Sequence, residues 1–192
     1  MSINVDLAIL GAGPGGYVAA ERAGKKGLNV ALIEKGELGG VCLNEGCIPT
    51  KALLYAAKLY DHAIEGGKYG IDVKEVSYDF GKMMARKQKV VKKLVGGVAA
   101  AMKEHHVQVV KGNGYIKGRN ASGITIAVGE EEVVATNLLI CTGSEALIPP
   151  IPGLGAPNDV ILTNREILEL STRPESLVVI GGGVIGMEFA SF

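Results

Sequence analysis

The chain has 192 residues, of which 47% are hydrophobic and 21% charged, enough apolar material for one well-buried α/β domain with something left over. Twenty basic residues balance twenty acidic ones, so no net field would gather nucleic acid or coat an anionic membrane. Three cysteines, two of them close together, are not the disulfide framework of a small secreted domain and suggest a redox or metal site.

Residues 5–10 form an apolar run that ends in the cluster Gly11, Gly13, Gly15 and Gly16. With a first strand starting at about Asp6 there is no room for a charged and apolar leader, and Gly or Pro interrupts every apolar run before the ~18 residues of a membrane span. A soluble cytoplasmic protein with small or protein-bound partners, and with neither nucleic acid nor membrane among them, is the expectation. Residues 17–27 read as a helix and 29–34 as a second apolar strand, which makes a strand, glycine turn, helix, strand unit of a parallel sheet.

Within that unit Gly11, Gly13 and Gly16 stand as G-x-G-x-x-G: the first permits a tight turn, the second lets backbone approach a pyrophosphate, and the third allows helix to pack on strand. Free N–H groups at the helix start would face the phosphates. Glu34 ends the second strand about 23 positions after Gly11, close to the ~20 expected of the acid that binds ribose hydroxyls. Strand, helix and acid together point to a dinucleotide site.

The stretch Gly39-Gly-Val-Cys-Leu-Asn-Glu-Gly-Cys-Ile-Pro-Thr-Lys51 carries the paired cysteines, Cys42 and Cys47. Buried structural thiols and half of a metal site are the simpler readings, but a metal would want two more ligands at matching spacing, and Cys141, His62, His105 and His106 do not supply them. A dithiol that opens and closes accounts for the pair better. A helix predicted over residues 47–65 begins at Cys47, with Pro49 in its first turn, so the helix dipole would favour a Cys47 thiolate. In one regular helix, positions five apart would be roughly 8 to 9 Å apart at Cα, and a disulfide needs less than about 7 Å. Cys42 is therefore expected outside regular helix, with the chain folding back near Gly46. Lys51 falls one turn after Cys47 on the same face.

Apolar residues spaced by three, four and seven predict a long one-sided helix over residues 79–105, with Lys82, Arg86, Lys87, Lys89, Lys92 and Lys93 on a solvated outer face. Residues 107–110, 124–128 and 133–134 read as a small antiparallel excursion, and 138–141 as a buried strand. Pro149, Pro150, Pro152 and Gly153 form a stiff exit taken as a domain boundary. Beyond it, an apolar strand at 177–180, the turn Gly181-Gly-Gly-Val-Ile-Gly186 and a helix start echo the opening of the chain.

The combination of GAGPGG, GGVCLNEGCIPTK and Thr142-Gly-Ser144 resembles the pyridine nucleotide-disulfide oxidoreductases, over essentially the whole chain and with wording most similar to their dihydrolipoyl dehydrogenase branch. Glutathione and mercuric reductase types resemble it less and stay as an alternative. The resemblance implies an FAD-binding, Rossmann-like α/β domain with a central parallel sheet at residues 1–150, carrying a redox-active disulfide. Residues 151–192 would be a linker and the first strand, turn and helix of an incomplete NAD-binding domain.

FAD would be held by Gly11, Gly13, Gly16, Glu34, Lys51, Gly114, Thr142, Gly143 and Ser144. Cys42 would be the interchange thiol and Cys47 the thiol beside the flavin. Cys141 replaces the family's usual Ala and is read as a small apolar residue of a buried strand. Gly181, Gly183 and Gly186 would begin the NAD site, with Glu188 the family's acid near the flavin and a partner for Lys51. The discriminator of NAD from NADP would fall ~20 positions further on, past Phe192.

Electrons would pass from a dihydrolipoyl dithiol to the Cys42/Cys47 disulfide, then to FAD, then to NAD. The partners implied are dihydrolipoyl groups on acyl-carrier proteins of 2-oxo acid dehydrogenase or glycine cleavage complexes, and a second copy in a homodimer. The family's catalytic His and Glu lie in domains this chain lacks, so the isolated 192 residues are expected to be inactive, and a catalytically incomplete FAD-binding fragment is the competing reading.

Overall fold

The structure, a computed structural model, describes residues 2–192. It divides into two compact units. The first runs to Asn44 and resumes over Lys93–Glu145; the second comprises Glu45–Lys92 and Ala146–Phe192.

The first unit is built on a six-stranded sheet. Its strands are β1 (Ser2–Leu10), β2 (Val30–Glu34), β3 (Gln108–Lys111), β4 (Gly114–Asn120), β5 (Gly123–Val128) and β6 (Glu131–Ile140), in the order β3-β2-β1-β6-β5-β4. The β1 to β2, β2 to β3 and β1 to β6 pairs are parallel, and β6 to β5 to β4 is an antiparallel ribbon. The helix after β1, α1 (Pro14–Lys25), starts on a proline whose missing N–H costs nothing at that position.

Successive side chains of a strand face opposite ways, and the core divides accordingly. Ile9, Val30 and Leu32 pack with Ala20 and Ala23 of α1 and with Met102, while Ala8, Ala31 and Ile33 pack with Val110 and with Ile126, Val128, Val133 and Ala135 of the ribbon. The central strands read as continuous apolar runs because both of their faces are covered.

Three expectations for this unit change. Residues 107–110 are not part of the antiparallel excursion: β3 is a parallel neighbour of β2, returned to the sheet by the long helix before it. Residues 133–134 and 138–140 belong to one ten-residue strand, β6, which ends before Cys141 and in which the polar Thr136 and Asn137 interrupt the apolar signal without interrupting the ladder. The end of that strand is not buried, since Leu139 and Ile140 are exposed although their backbones pair with β1.

The second unit contains α3 (Cys47–Ile64), a 3-10 turn (Glu65–Tyr69), α5 (Asn164–Ile167) and α6 (Val184–Ser191). Two further helices, α2 (Gly40–Glu45) and α4 (Phe80–Glu104), each have residues assigned to both units. Within the second unit α6 packs on α3, and Phe80 and Phe192 stack at 6.2 Å between ring centroids. The strand expected at 177–180 does not form. A strand needs a neighbour for its N–H and C=O groups, and among the described residues this unit has no strand to offer one.

Lys87, placed on the solvated face from its charge, is 2% exposed. Its position matches the apolar stripe, midway between Met84 and Val91, and burial there requires partners for the ammonium. Lys87 Nζ donates to the Leu168 carbonyl and to Glu169 Oε1, the latter at 3.2 Å.

Leu32→Ala is expected to lower stability by about 2–5 kcal/mol in urea unfolding, because the cavity opens in a closed core. Leu147→Ala, at a 90% exposed position, is expected to stay within about 0.5 kcal/mol of the parent.

Candidate functional site

The glycine turn is formed by three chain segments of the first unit meeting without side chains. The Gly11 N–H donates to the Ile33 carbonyl at 2.9 Å, and the Cys141 N–H donates to the Leu10 carbonyl at 2.7 Å. Gly11 has φ +101°, and a Cβ there would collide with the Cys141 carbonyl; one at Gly16 would collide with the Gly11 carbonyl. Gly13 differs, since its Cβ would meet only the Gly40 Cα at 3.8 Å. It is the N-cap of α1 in extended conformation, with no side-chain cap; Pro14 brings no N–H and the Gly16 N–H donates to the Gly13 carbonyl at 2.9 Å, which leaves the Gly15 N–H as the first-turn donor for a ligand.

Glu34 closes the turn from beside it. The Ala12 N–H donates to Glu34 Oε2 at 2.8 Å and the Gly36 N–H to Oε1 at 2.8 Å. A carboxylate has about four acceptor positions, so two remain for hydroxyls. Gly114 begins β4 against Leu10, Ile33 and Ile126, where any side chain would strike the core. Thr142, Gly143 and Ser144 follow Cys141 after the end of β6 and are exposed, with Gly143 at φ +75°. Cys141 is a free, half-buried thiol just past the strand, not inside it, and lies 3.5 Å from where a Gly15 side chain would start.

The two motif cysteines are both disulfide-bonded, and with Cys141 free the bond joins Cys42 to Cys47. Cys42 does not lie outside helix, as spacing suggested; it sits in the short α2, and the geometric bar is lifted because α2 and α3 are separate helices. The break is at Gly46, with φ −147° and ψ −113°. Asn44 fixes the end of α2 by donating from Nδ2 to the Leu38 and Gly40 carbonyls, each at 3.0 Å. Cys47 is the first residue of the eighteen-residue α3, whose N-cap glycine offers no side-chain acceptor.

In the second unit Lys51 Nζ donates to Glu188 Oε1, the pairing expected of these two residues. Gly181 has φ +105°, Gly183 is the N-cap of α6, and a Cβ at Gly186 would meet Val179 Cγ1 at 2.8 Å. This second glycine turn therefore forms before its helix even though no strand precedes it.

Sequence reasoning missed the surroundings of Glu45. Asn164 Nδ2 donates to the Glu45 carbonyl at 2.7 Å and Arg165 Nε to Glu45 Oε2 at 2.5 Å. Both open α5, which Thr163 and Glu166 start with a capping box. The T-x-x-E spacing of that box was legible in the sequence; the long-range pairing with Glu45 was not. The Thr163 hydroxyl, donating to Glu166 Oε2 at 2.5 Å, is the main cause that holds the Glu166 carboxyl below its ordinary value. Among the described residues no cluster of His, Cys, Asp or Glu could hold a metal ion, and no helix is long and apolar enough to cross a membrane.

The family model described as pyridine nucleotide-disulphide oxidoreductase matches residues 5–192, and the chain belongs to that family. It is 43% identical to a dihydrolipoyl dehydrogenase of Acholeplasma laidlawii, with all of this chain and 56% of that protein covered. It is 45% identical to the mitochondrial dihydrolipoyl dehydrogenase of Rattus norvegicus, covering 98% of this chain and 38% of the relative. The chain thus spans between about two fifths and just over half of these relatives. The HOCl-induced flavoprotein disulfide reductase RclA from Escherichia coli matches in structure with TM-score 0.79 and 29% identity, over 96% of this chain and 38% of that one.

The glycines are expected to divide on substitution. Gly16→Ala should cost several kcal/mol or prevent folding, whereas Gly13→Ala should cost under about 1 kcal/mol by denaturant unfolding.

The lowered folded pKa of Glu166 makes its contribution to stability complete above about pH 4.5 and lost as pH falls through the depressed value. Comparing urea unfolding of Glu166→Gln with the parent from about pH 6 to about pH 3 should show a shallower acid decline in the variant. Parallel declines would remove Glu166 as a source.

Proposed function

We propose that this chain is the flavin- and disulfide-bearing module of a dihydrolipoyl dehydrogenase, taking electrons from a dihydrolipoyl dithiol with NAD as the final acceptor. The observation that carries the reading is the bonded Cys42–Cys47 pair astride Gly46, in a chain 43–45% identical to proteins of that name. The cofactor assignment is FAD, supported by the flavoprotein identity of the structural neighbour and by the glycine turn.

The residues fit that cofactor. The start of α1, which has no side-chain cap, would receive a pyrophosphate at the Gly15 N–H, Gly13 would leave the approach open, and Glu34 would offer its further acceptor positions to ribose hydroxyls. Gly11 and Gly16 would hold the turn, while Lys51, Gly114 and the residues Thr142 to Ser144 complete the proposed FAD set. When bound, FAD supplies a two-electron acceptor for the reduced thiols. Gly181, Gly183, Gly186 and Glu188 are assigned to the opening of a nicotinamide site. Residues 1–150 would form the FAD domain and 151–192 the linker and start of the NAD domain.

The chain's own chemistry is thiol–disulfide exchange. One thiolate of the dihydrolipoyl group attacks Cys42 Sγ, the Cys42–Cys47 bond breaks, and Cys47 leaves as a thiolate. The start of α3 stabilises that negative charge. The second substrate thiol then attacks the mixed disulfide, freeing Cys42 and closing the lipoyl ring. The substrate loses two electrons and two protons, and the cysteine pair gains the two electrons. The proposed partners are lipoyl-bearing acyl-carrier proteins of 2-oxo acid dehydrogenase or glycine cleavage complexes and a second copy of the chain, acting in the cytoplasm.

Flavin titration and dithiol exchange separate the two halves of this reading. Gly13→Val is expected to weaken FAD binding by at least about tenfold, since its side chain would enter the pyrophosphate approach. Cys42→Ser should bind FAD like the parent and lose exchange with dihydrolipoamide. Equal loss of FAD in both variants would contradict the assignment of roles.

A further inference from the structure

Four residues separate the two sulfurs, and the chain must reverse within them. Leu43 is buried, Asn44 is tied to the Leu38 and Gly40 carbonyls, and Gly46 takes the break. Glu45 is the remaining one, and two consecutive residues hold it, one through its main-chain carbonyl and the other through its carboxylate. The holders are Asn164 and Arg165.

These two residues sit on a segment that is itself fixed at both ends within the second unit. Its start is locked by the Thr163–Glu166 capping box, with the Thr163 N–H donating to Glu166 Oε2 at 2.7 Å. Its end is anchored by the buried Lys87, whose ammonium binds the Leu168 carbonyl and Glu169. Gln88 Nε2 adds bonds to both Glu169 carboxylate oxygens, at 3.0 and 3.1 Å. A four-residue helix that follows the Pro- and Gly-rich residues 149–157 would have little reason to be anchored so fully if it only filled space.

We propose that Asn164 and Arg165 are positioning residues for the redox pair. They hold Glu45 so that the chain breaks at Gly46 and presents Cys47 at the head of α3 in the geometry a disulfide needs. The proposal rests on the reading that Cys42–Cys47 opens and closes. The physical basis is twofold. Glycine before Cys47 leaves the reduced loop free to sample many conformations, and pinning the residue next to it raises the effective concentration of one thiol at the other. Arg165 also offsets the one carboxylate between the sulfurs, which would otherwise oppose thiolate formation.

The test is an equilibrium of the whole 192-residue chain with reduced and oxidised glutathione, the alkylated thiols counted by mass spectrometry. Two glutathiones reduce the bond and become one oxidised glutathione. Asn164→Ala and Arg165→Met are each expected to shift the equilibrium constant about threefold to tenfold toward the open dithiol, with Arg165→Lys between Arg165→Met and the parent. Arg173→Met, which removes a bond to the Tyr78 hydroxyl elsewhere in the same unit, should leave it unchanged.

In the reduced chain, the pH profile of Cys47 alkylation should move upward in Arg165→Met. Adding Glu45→Gln should return that profile and leave the glutathione equilibrium displaced. If Asn164→Ala unfolds, Asn164→Asp, which keeps the size and loses the donor, makes the same comparison. Parent thiols that never close would overturn the functional reading itself. A parent that closes normally, with folded variants within about twofold of it, would overturn this proposal alone.

Discussion

Backbone touching backbone is the constraint on which the first unit depends. At the carboxyl end of β1, Gly11 lies against the Cys141 carbonyl, Gly16 against the Gly11 carbonyl, and Gly40 against Gly13, where a Cβ on Gly40 would stand 2.5 Å from the Gly13 Cα. Three segments far apart in sequence can share this place because none carries a side chain into it. The first two contacts make the turn and bring α1 onto the sheet. The third brings in the start of α2, the helix that carries Cys42. One packing condition therefore shapes the glycine turn and seats the helix that carries Cys42.

A second consequence concerns how a helix-rich segment can hold a bond between residues five apart. One continuous helix over residues 40–64 would keep the sulfurs apart. Gly46 divides it, leaving Cys42 on a short helix and Cys47 at the amino end of a long one. The same break that permits the bond also puts one sulfur where the peptide dipoles favour negative charge. Geometry for closing and electrostatics for opening thus come from a single residue without a side chain.

The parts of the molecule that follow from local pattern were readable in advance. The first strand, the glycine turn, the acid at Glu34 and the helices beginning at Cys47 and near Asp79 are each set by neighbouring residues, and the structure has them within a few positions. What failed depends on partners distant in sequence. β4 carries an almost wholly exposed, Gly-interrupted pattern with a register irregularity between Ile116 and Gly118, so no alternation announces it. Residues 177–180 have the composition of a strand, and among the described residues their own unit has no strand to pair with. Lys87 is the instructive case: the helical period put it on the buried stripe, its charge argued for solvent, and the period prevailed because Leu168 and Glu169 supply acceptors. The hold of Asn164 and Arg165 on Glu45 joins positions some 120 apart, and only the folded chain brings them together.

The central claim is that the Cys42–Cys47 bond is a reactive bond and not a structural clamp. The most direct measurement is to treat the chain anaerobically with dihydrolipoamide and assign its free thiols by alkylation and peptide mass spectrometry. The account predicts one free thiol, Cys141, before treatment, and new thiols at Cys42 and Cys47 after it, with lipoamide formed in equal amount. A bond that resists dihydrolipoamide but yields to a stronger reductant in denaturant would contradict it.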